Sequence, residues 1–120
     1  FLRKVFEVFE EYRTSIDMIT TSEVAVSVTI DNDSALEPIV RELSAFSNVS
    51  VDKHQTIVSI VGNEIAAHAD TLKKVFESLS NVDVRMVSYG GSPHNISILV
   101  ATDKKHQVLK QLNSGLFGLE

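Results

Sequence analysis

Polar side chains that could bind a ligand are concentrated at one corner near the start of the chain. Asp17 interrupts an apolar run, and Thr20, Thr21, Ser22 and Glu23 stand before the next apolar run. Two carboxylates and three hydroxyls therefore lie within seven residues. Because paired carboxylates suit a positively charged ligand through charge-assisted hydrogen bonds, the sequence predicts a ligand site at this corner.

Two strands, over about 15–20 and 23–31, are predicted to carry this corner. In the second strand the apolar residues alternate with small or polar ones, so they share one face of an extended chain and are expected to be core. That face consists of Val24, Val26, Val28 and Ile30.

Helical spacing of apolar residues predicts four helices around these strands. The first covers about 2–12, the second begins near a Ser34/Glu37 capping box or at Pro38, and the third runs from about Ile65 or Ala69 to Leu79. The fourth is predicted to begin at a Thr102–Asp103 cap and to end at 113–115, with Leu109 facing inward. Five phenylalanines at helical or terminal positions are expected in the core: Phe6, Phe9, Phe46, Phe76 and Phe117.

Further strands are predicted over about 47–51, 57–62, 82–88 and 94–101. The two halves of the chain then repeat, since 16–20 matches 84–88 and 26–28 matches 96–98 at a separation near 70 residues. The predicted fold class is α+β, with two ferredoxin-like βαββαβ units in tandem, the first without its opening strand. The units are placed at 1–54 and 55–120.

The repeat reverses one charge. Asp17 of the first half corresponds to Arg85 of the second, and the Thr21–Glu23 corner is replaced by a different segment, 89–94. Core architecture does not need such a reversal, so we expect the first unit to receive a cationic ligand and the second to serve another purpose.

Composition excludes several other function classes. The formal charge is −5 without a basic stretch, which argues against nucleic acid and anionic membranes as partners. No apolar run approaches a membrane span and no signal segment is apparent, so a cytoplasmic location is expected. The chain lacks cysteine, and His54, His68, His94 and His106 have no metal-binding spacing, so we expect neither a metal nor a cofactor here.

Several stretches resemble one known family closely, over essentially the whole chain. They are Phe1–Phe6, 15–24 with its Asp-x-Ile-Thr-Thr-Ser-Glu run, 41–44, 60–63 and 89–96. These stretches are similar to the C-terminal regulatory region of aspartokinases, particularly the monofunctional lysine-sensitive enzymes. That resemblance implies a tandem of two ACT domains.

The resemblance also implies a ligand and partners. In that family L-lysine binds between ACT units of two subunits and inhibits the phosphorylation of aspartate, for which a separate kinase domain uses ATP and Mg²⁺. The matching effector positions are Phe1, Leu2, Ser15, Ile16, Asp17, Thr21, Ser22 and Glu23. Arg85 and Asn95 are expected at a subunit or kinase interface, with plain surface exposure or strand capping as the alternative readings.

The chain begins with Phe1 inside a predicted helix, so we expect a strand, a loop and the kinase domain to precede it in the parent protein. Weakened lysine binding by this segment alone is therefore expected. Alternatives to a lysine sensor are a ligand-free dimerisation module, a sensor of another amino acid such as threonine, and acyl-phosphate hydrolysis by Arg85 and Asn95. The hydroxyls of Ser15, Thr21 and Ser22 are equally compatible with bonds to the turn backbone.

Overall fold

A computed structural model describes residues 1–62, 69–90 and 93–118 of the chain. The chain divides into two compact units, Phe1–Val51 and Asp52–Glu120, a boundary slightly earlier than the predicted one at 54/55. Each unit combines helices with a small antiparallel sheet, which confirms the predicted α+β fold.

Unit 1 contains α1 (Leu2–Glu11), β1 (Ile16–Thr21), β2 (Val26–Ile30) and α2 (Leu36–Ser44). The two strands pair antiparallel. One apolar stripe of α1 packs with α2 over the sheet, as the three- and four-residue spacing predicts. The buried residues of this core are Val5, Val8, Phe9 and Ile39, with Ile16, Val28 and Ile30 packed against them.

The connection from α1 to β1 is short and tightly bonded. The amide of Arg13 donates to the carbonyl of Glu10 at 3.0 Å, and the amide of Thr14 donates to the carbonyl of Phe9 at 2.9 Å. These two bonds form the Schellman motif that closes a helix C-terminus. Arg13 takes the left-handed position of that motif, with φ of 51°, where glycine is the usual residue.

Unit 2 contains β3 (Gln55–Val61), α3 (Ala69–Ser78), β4 (Met86–Ser88), β5 (Asn95–Ala101) and α4 (Lys105–Phe117). Its sheet has the order β3-β5-β4 and is antiparallel throughout. The buried core consists of Val58, Ile60, Val75, Leu79, Ile96, Ile98, Val100, Val108 and Leu112.

Helix α4 differs from its prediction at both ends. Thr102–Lys104 form a 3₁₀ turn, so the α-helix begins at Lys105 instead of being capped by Thr102 and Asp103. It also continues through the predicted stop at 113–115 and ends at Phe117, followed by the C-cap Gly118 with φ of 66°. Gly115 leaves room for the close approach of α3, because a Cβ at Gly115 would lie 1.8 Å from the Ser78 hydroxyl oxygen.

Several predictions about strands and caps were wrong. Strand β2 begins at Val26, and Val24 lies in the preceding turn with 92% of its surface exposed, because the chain reverses there instead of pairing. Residues 47–51 form no strand, and β4 is limited to Met86–Ser88. Helix α2 begins at Leu36 without a side-chain cap, so the Ser34/Glu37 box does not form.

Core assignments based on residue type were wrong at four positions. Phe6, Phe76 and Phe117 are 44%, 40% and 55% exposed, because they lie at the margin of each helix's buried stripe; Phe9 is buried as expected. Leu109, expected to point inward, is 39% exposed.

The order of elements is α-β-β-α in unit 1 and β-α-β-β-α in unit 2. Neither unit has a closing strand in the part that the structure describes. The predicted helix start at Ile65, His68 and the glycine corner at 91–92 fall outside the described residues. No helix among the described residues is long and apolar enough to cross a membrane. In the same residues no three His, Asp or Glu side chains form a group that could hold a metal ion.

Candidate functional site

The centre of the predicted site is a β-bulge in β1. Ile16 pairs with Ile30 and Ile19 pairs with Val28, so the register shifts by one residue between them. Asp17 and Met18 therefore lie together opposite Thr29, and the main-chain ladder is interrupted at this point. β-Bulges are over-represented next to functional sites, where they redirect a side chain.

Thr29 compensates for this interruption. Its Oγ1 accepts a hydrogen bond of 2.9 Å from the Met18 amide. Met18 is buried, whereas the neighbouring Asp17 is exposed. The carboxylate of Asp17 has no hydrogen bond or ion pair with the residues that the structure describes, so it is available to a ligand.

The corner between β1 and β2 contains the second acid. The Ser22 amide donates to the Ala25 carbonyl at 2.8 Å, and the Ser22 hydroxyl accepts from the Ala25 amide at 3.2 Å. Ser22 thus satisfies the turn backbone, as one of the alternatives for the corner hydroxyls predicted. Glu23 stands exposed at the tip, and Thr21 is the last residue of β1, paired with Val26.

The start of α1 supplies a different kind of group. Phe1 occupies the N-cap position without a side-chain cap, so the first amides of α1 keep the unsatisfied donors of a helix N-terminus. Such donors and the helix dipole favour a carboxylate. The Phe1 ring packs edge-on against Phe46, with centroids 5.8 Å apart, while Leu2 is 38% exposed.

The structure places all eight predicted effector residues in unit 1. Ser15 and Ile16 stand at the entry to β1, Asp17 on the bulge, Thr21 at the strand end, and Ser22 and Glu23 in the turn. Ile16 packs against the core, so only its backbone is suited to contact a ligand. These assignments remain predictions, because no ligand contact tests them.

The equivalent position of unit 2 has the opposite chemistry. The Arg85 guanidinium forms an ion pair of 2.6 Å with Asp52, and both side chains are half exposed. The Arg85 amide donates to the carbonyl of Leu99, the residue with which Met86 pairs, at 2.8 Å, so two residues lie opposite one here as well. The charge at this position is therefore matched by the unit's own carboxylate.

Asn95 begins β5, opposite Val61 of β3. Its Oδ1 accepts a hydrogen bond of 3.3 Å from the Ser97 hydroxyl, which also lies 2.9 Å from the Ser59 hydroxyl. Asn95 thus belongs to a polar row across the sheet. The predicted interface roles of Arg85 and Asn95 stay predictions.

Two open depressions in unit 2 lie away from these residues. One, of about 360 Å³, lies between Ser78 and the 110–115 segment of α4, and the other, of about 270 Å³, lies between β3 and α4. Neither is lined by a predicted effector residue. Asp17 and Glu23 of unit 1 are instead exposed on a strand and in a turn.

Thr29 is the site residue that sequence reasoning missed. A threonine on an alternating strand has no distinguishing spacing, and nothing in the sequence alone indicates a register shift. The available signal was the repeat, because the counterpart of Thr29 in the second half is Leu99.

Comparison with known proteins agrees with this architecture. The ACT domain family matches residues 58–116. Lysine-sensitive aspartokinase 3 of Escherichia coli is 36% identical over 98% of this chain, and the chain spans only 28% of that relative's length.

Solved structures show the same relationship. A domain assigned to the C-terminal regulatory region of aspartate kinase from Porphyromonas gingivalis is 46% identical, with a TM-score of 0.86, covering 97% of this chain and 79% of that one. E. coli aspartokinase III in complex with lysine and aspartate is 37% identical, with a TM-score of 0.82, over 98% of this chain and 27% of that one. The chain belongs to the ACT-domain regulatory regions of the aspartokinases.

Proposed function

We propose that this chain is the lysine-sensing region of an aspartate kinase, and that L-lysine bound to unit 1 inhibits the parent enzyme. The attached kinase domain would phosphorylate aspartate with ATP and Mg²⁺. The observation that carries this proposal is the similarity, over 98% of the chain, to an aspartokinase whose structure contains lysine.

The exposed groups of unit 1 match the chemistry of lysine. The uncapped N-terminus of α1 suits the α-carboxylate, and the carboxylates of Asp17 and Glu23 suit the two ammonium groups. The exposed Leu2 and Phe1 side chains are suited to pack on the lysine methylenes. Ser15, Thr21 and the Ile16 backbone complete the proposed contacts.

The spacing of the two acids supports a site shared by two subunits. Asp17 and Thr21 are four strand residues apart, roughly 13 Å at about 3.3 Å per residue, and Glu23 lies beyond them in the turn. The two nitrogens of an extended lysine are about 7 Å apart, for bonds near 1.5 Å. Asp17 of one copy of unit 1 and Glu23 of a second copy can lie closer together than the two acids of a single copy. We therefore propose a homodimer with Asp17 and Glu23 on opposite sides of each ligand.

Inhibition would follow from a difference in affinity. A ligand that binds one arrangement of the dimer better shifts the enzyme toward that arrangement. A typical coupling free energy of about 1–3 kcal/mol changes activity about 5–150-fold. Arg85 and Asn95 in unit 2 are proposed to contact the kinase domain or a second subunit rather than lysine.

The test is lysine inhibition of the full-length enzyme. Asp17→Asn and Glu23→Gln should each weaken inhibition while leaving the uninhibited turnover unchanged, because each removes one charge from the effector site. Asp31→Asn, in the turn after β2, is the matched control and should retain the parent's inhibition curve. Equal inhibition of all four proteins would show that the site is misplaced. A parent that lysine does not inhibit, yet that dimerises normally, would favour the ligand-free alternative.

Mixed dimers test the shared site. A dimer of one Asp17→Asn copy and one Glu23→Gln copy, purified through two different tags, has one intact site if the two acids come from different subunits. It has no intact site if both acids come from the same subunit. We expect calorimetry to find one lysine site of parental affinity per mixed dimer, and the absence of any such site would overturn the shared arrangement.

A further inference from the structure

The β1–β2 ladder of unit 1 and the β4–β5 ladder of unit 2 are duplicates with one difference. In unit 2, Val87 pairs with Ile98 and Ser88 with Ser97. The corresponding pairs of unit 1 are Ile19 with Val28 and Thr20 with Ser27. Up to this point the two ladders are in the same register.

The difference comes at the next pair. In unit 2 Met86 pairs with Leu99, and the Arg85 amide also donates to the Leu99 carbonyl at 2.8 Å, so two residues lie opposite one. In unit 1 the corresponding pair, Met18 and Thr29, adjoins the same one-residue shift, but here the Met18 amide bonds to the threonine side chain. Both copies therefore have a bulge at this place, and the exchange of a leucine for a threonine adds a hydroxyl acceptor to the bulge of unit 1.

The exchange changes how the bulge is bonded. Two residues opposite one leave a strand amide without a regular main-chain acceptor, and an unpaired amide in a partly buried place is unfavourable. Thr29 is half buried, and its hydroxyl accepts a hydrogen bond from such an amide in unit 1. The leucine of unit 2 has no side-chain acceptor for this purpose.

The bulge also decides which residues share a face. Cross-strand partners lie on the same face of a sheet, so Ile16 shares a face with Ile30, and Ile19 shares a face with Val28. Ile30 and Val28 are two residues apart, so all four side chains lie on one face. In a regular strand Ile16 and Ile19 would lie on opposite faces, because side chains alternate. A shift of one residue moves every following side chain to the other face. The bulge thus sets the orientation of Asp17 relative to the strand end and the turn.

We propose that Thr29 is a positioning residue for the effector site, which acts through the Met18 amide without touching the effector. Its hydroxyl accepts the hydrogen bond from the amide that follows Asp17 and so fixes the backbone that presents the Asp17 carboxylate. This inference rests on the proposed function, because it assigns Asp17 to the effector.

The test compares Thr29→Val, which keeps the shape and removes the acceptor, with Thr29→Ser, which keeps the acceptor, in the full-length protein. Lysine binding is measured by calorimetry, and turnover is measured without lysine. Thr29→Val should weaken lysine binding by about tenfold or more, as for a lost buried hydrogen bond, and leave turnover unchanged. Thr29→Ser should bind lysine nearly as the parent does. Ser27→Val, two residues away on β2 in a regular pair, is the control and should also keep the parental affinity.

Hydrogen exchange at the Met18 amide provides a readout that does not depend on lysine. The amide should exchange slowly in the parent and in Thr29→Ser, and faster in Thr29→Val. A Thr29→Val protein with parental lysine affinity, or with parental exchange at Met18, would overturn the inference. A parent that does not bind lysine but loses Met18 protection in Thr29→Val would instead refute the proposed function and leave the bulge mechanism intact.

Discussion

Units 1 and 2 share a repeated α-β-β-α segment but differ in how firmly it is packed. Among the described residues, the core of unit 2 has nine buried apolar residues under a three-stranded sheet, whereas that of unit 1 has four buried residues under two strands. Ligand-responsive elements are drawn from the less stable parts of a protein. We therefore predict that unit 2 is the rigid copy and that unit 1 is the copy that responds to an effector.

The same contrast applies to the equivalent charged positions. Arg85 is matched by Asp52 within unit 2, whereas Asp17 of unit 1 has no such partner in the described part of the chain. One copy therefore pairs its charge internally, and the other leaves its charge without a partner among the described residues.

The largest predicted effect compares the two cores directly. Ile98→Ala in unit 2 should lower the free energy of unfolding by about 2–5 kcal/mol, because it leaves a cavity in a fully buried sheet. Ile39→Ala in unit 1 should lower the free energy of unfolding by an amount near the lower end of that range, because the less densely packed residues around Ile39 can relax into the cavity. Urea unfolding measures both, with the 70% exposed Val61→Ala as a near-neutral control. A larger loss for Ile39→Ala would reverse the assignment of the rigid copy.

A second prediction addresses the helix packing in unit 2. Gly115→Ala should destabilise the protein by about 1–3 kcal/mol, because the added Cβ would overlap the Ser78 side chain. Removing that side chain in the Ser78→Gly/Gly115→Ala protein should recover part of the loss. If Gly115→Ala proves as stable as the parent in urea, α3 and α4 do not approach as closely as described.

A third prediction concerns the strained end of α1 in unit 1. Arg13→Gly should stabilise the protein by about 0.5–1 kcal/mol, because glycine adopts the left-handed conformation without the steric cost that arginine carries. Arg13→Ala keeps that steric cost and should give no gain. Thermal unfolding of the two variants separates this backbone effect from the loss of the arginine charge. Equal stabilities of the glycine and alanine proteins would contradict it.

The smallest predicted effect is a pH dependence at the α1–α2 contact. The Glu42 carboxylate raises the pKa of Glu11, with burial and a hydrogen bond between the two carboxyls acting in the same direction. A hydrogen bond to Glu42 likewise raises the pKa of Tyr12, whose hydroxyl donates to Glu42 Oε2. A raised acid pKa means that the neutral form is favoured on folding. The contribution of Glu11 to the free energy of unfolding is therefore fully present below the ordinary pKa of glutamate, and it is lost as the pH rises through the pKa of Glu11 in the folded protein.

Glu11→Gln should remove that loss. Urea midpoints measured from about pH 4 to pH 7, across the ordinary range of glutamate, should fall less steeply for this variant than for the parent. Glu10→Gln removes the same charge one residue earlier and should retain the parental slope. Identical slopes for the parent and Glu11→Gln would show that the Glu11–Glu42 contact does not influence folding.

Sequence reasoning captured the parts of this structure that depend on periodicity. The helix α1 and the long β5 strand were predicted at nearly their observed positions, because burial of one face imposes a regular spacing on them. The repeat was also visible because 16–20 and 84–88 keep the same apolar pattern. These features follow from local patterns that every turn of helix or pair of strand residues reinforces.

Features that depend on a partner element were missed. Gly115 lies where a Cβ would overlap Ser78, so this glycine serves helix packing instead of ending α4, which no spacing within α4 reveals. Val24 is exposed because it lies in a turn, and the alternating apolar pattern that begins at Val24 does not reveal that turn. At the candidate site, the sequence located the acids, but it revealed neither the bulge at Asp17 nor the bond to a hydroxyl on the opposite strand.

The most direct test of the central claim, that unit 1 alone senses lysine, is hydrogen exchange of the full-length protein with and without lysine. Added protection should be confined to β1, the turn at 22–25 and the first turn of α1, with β4 and the segment around Arg85 unchanged. Protection centred on β4 and Arg85, or no change anywhere at saturating lysine, would contradict the account.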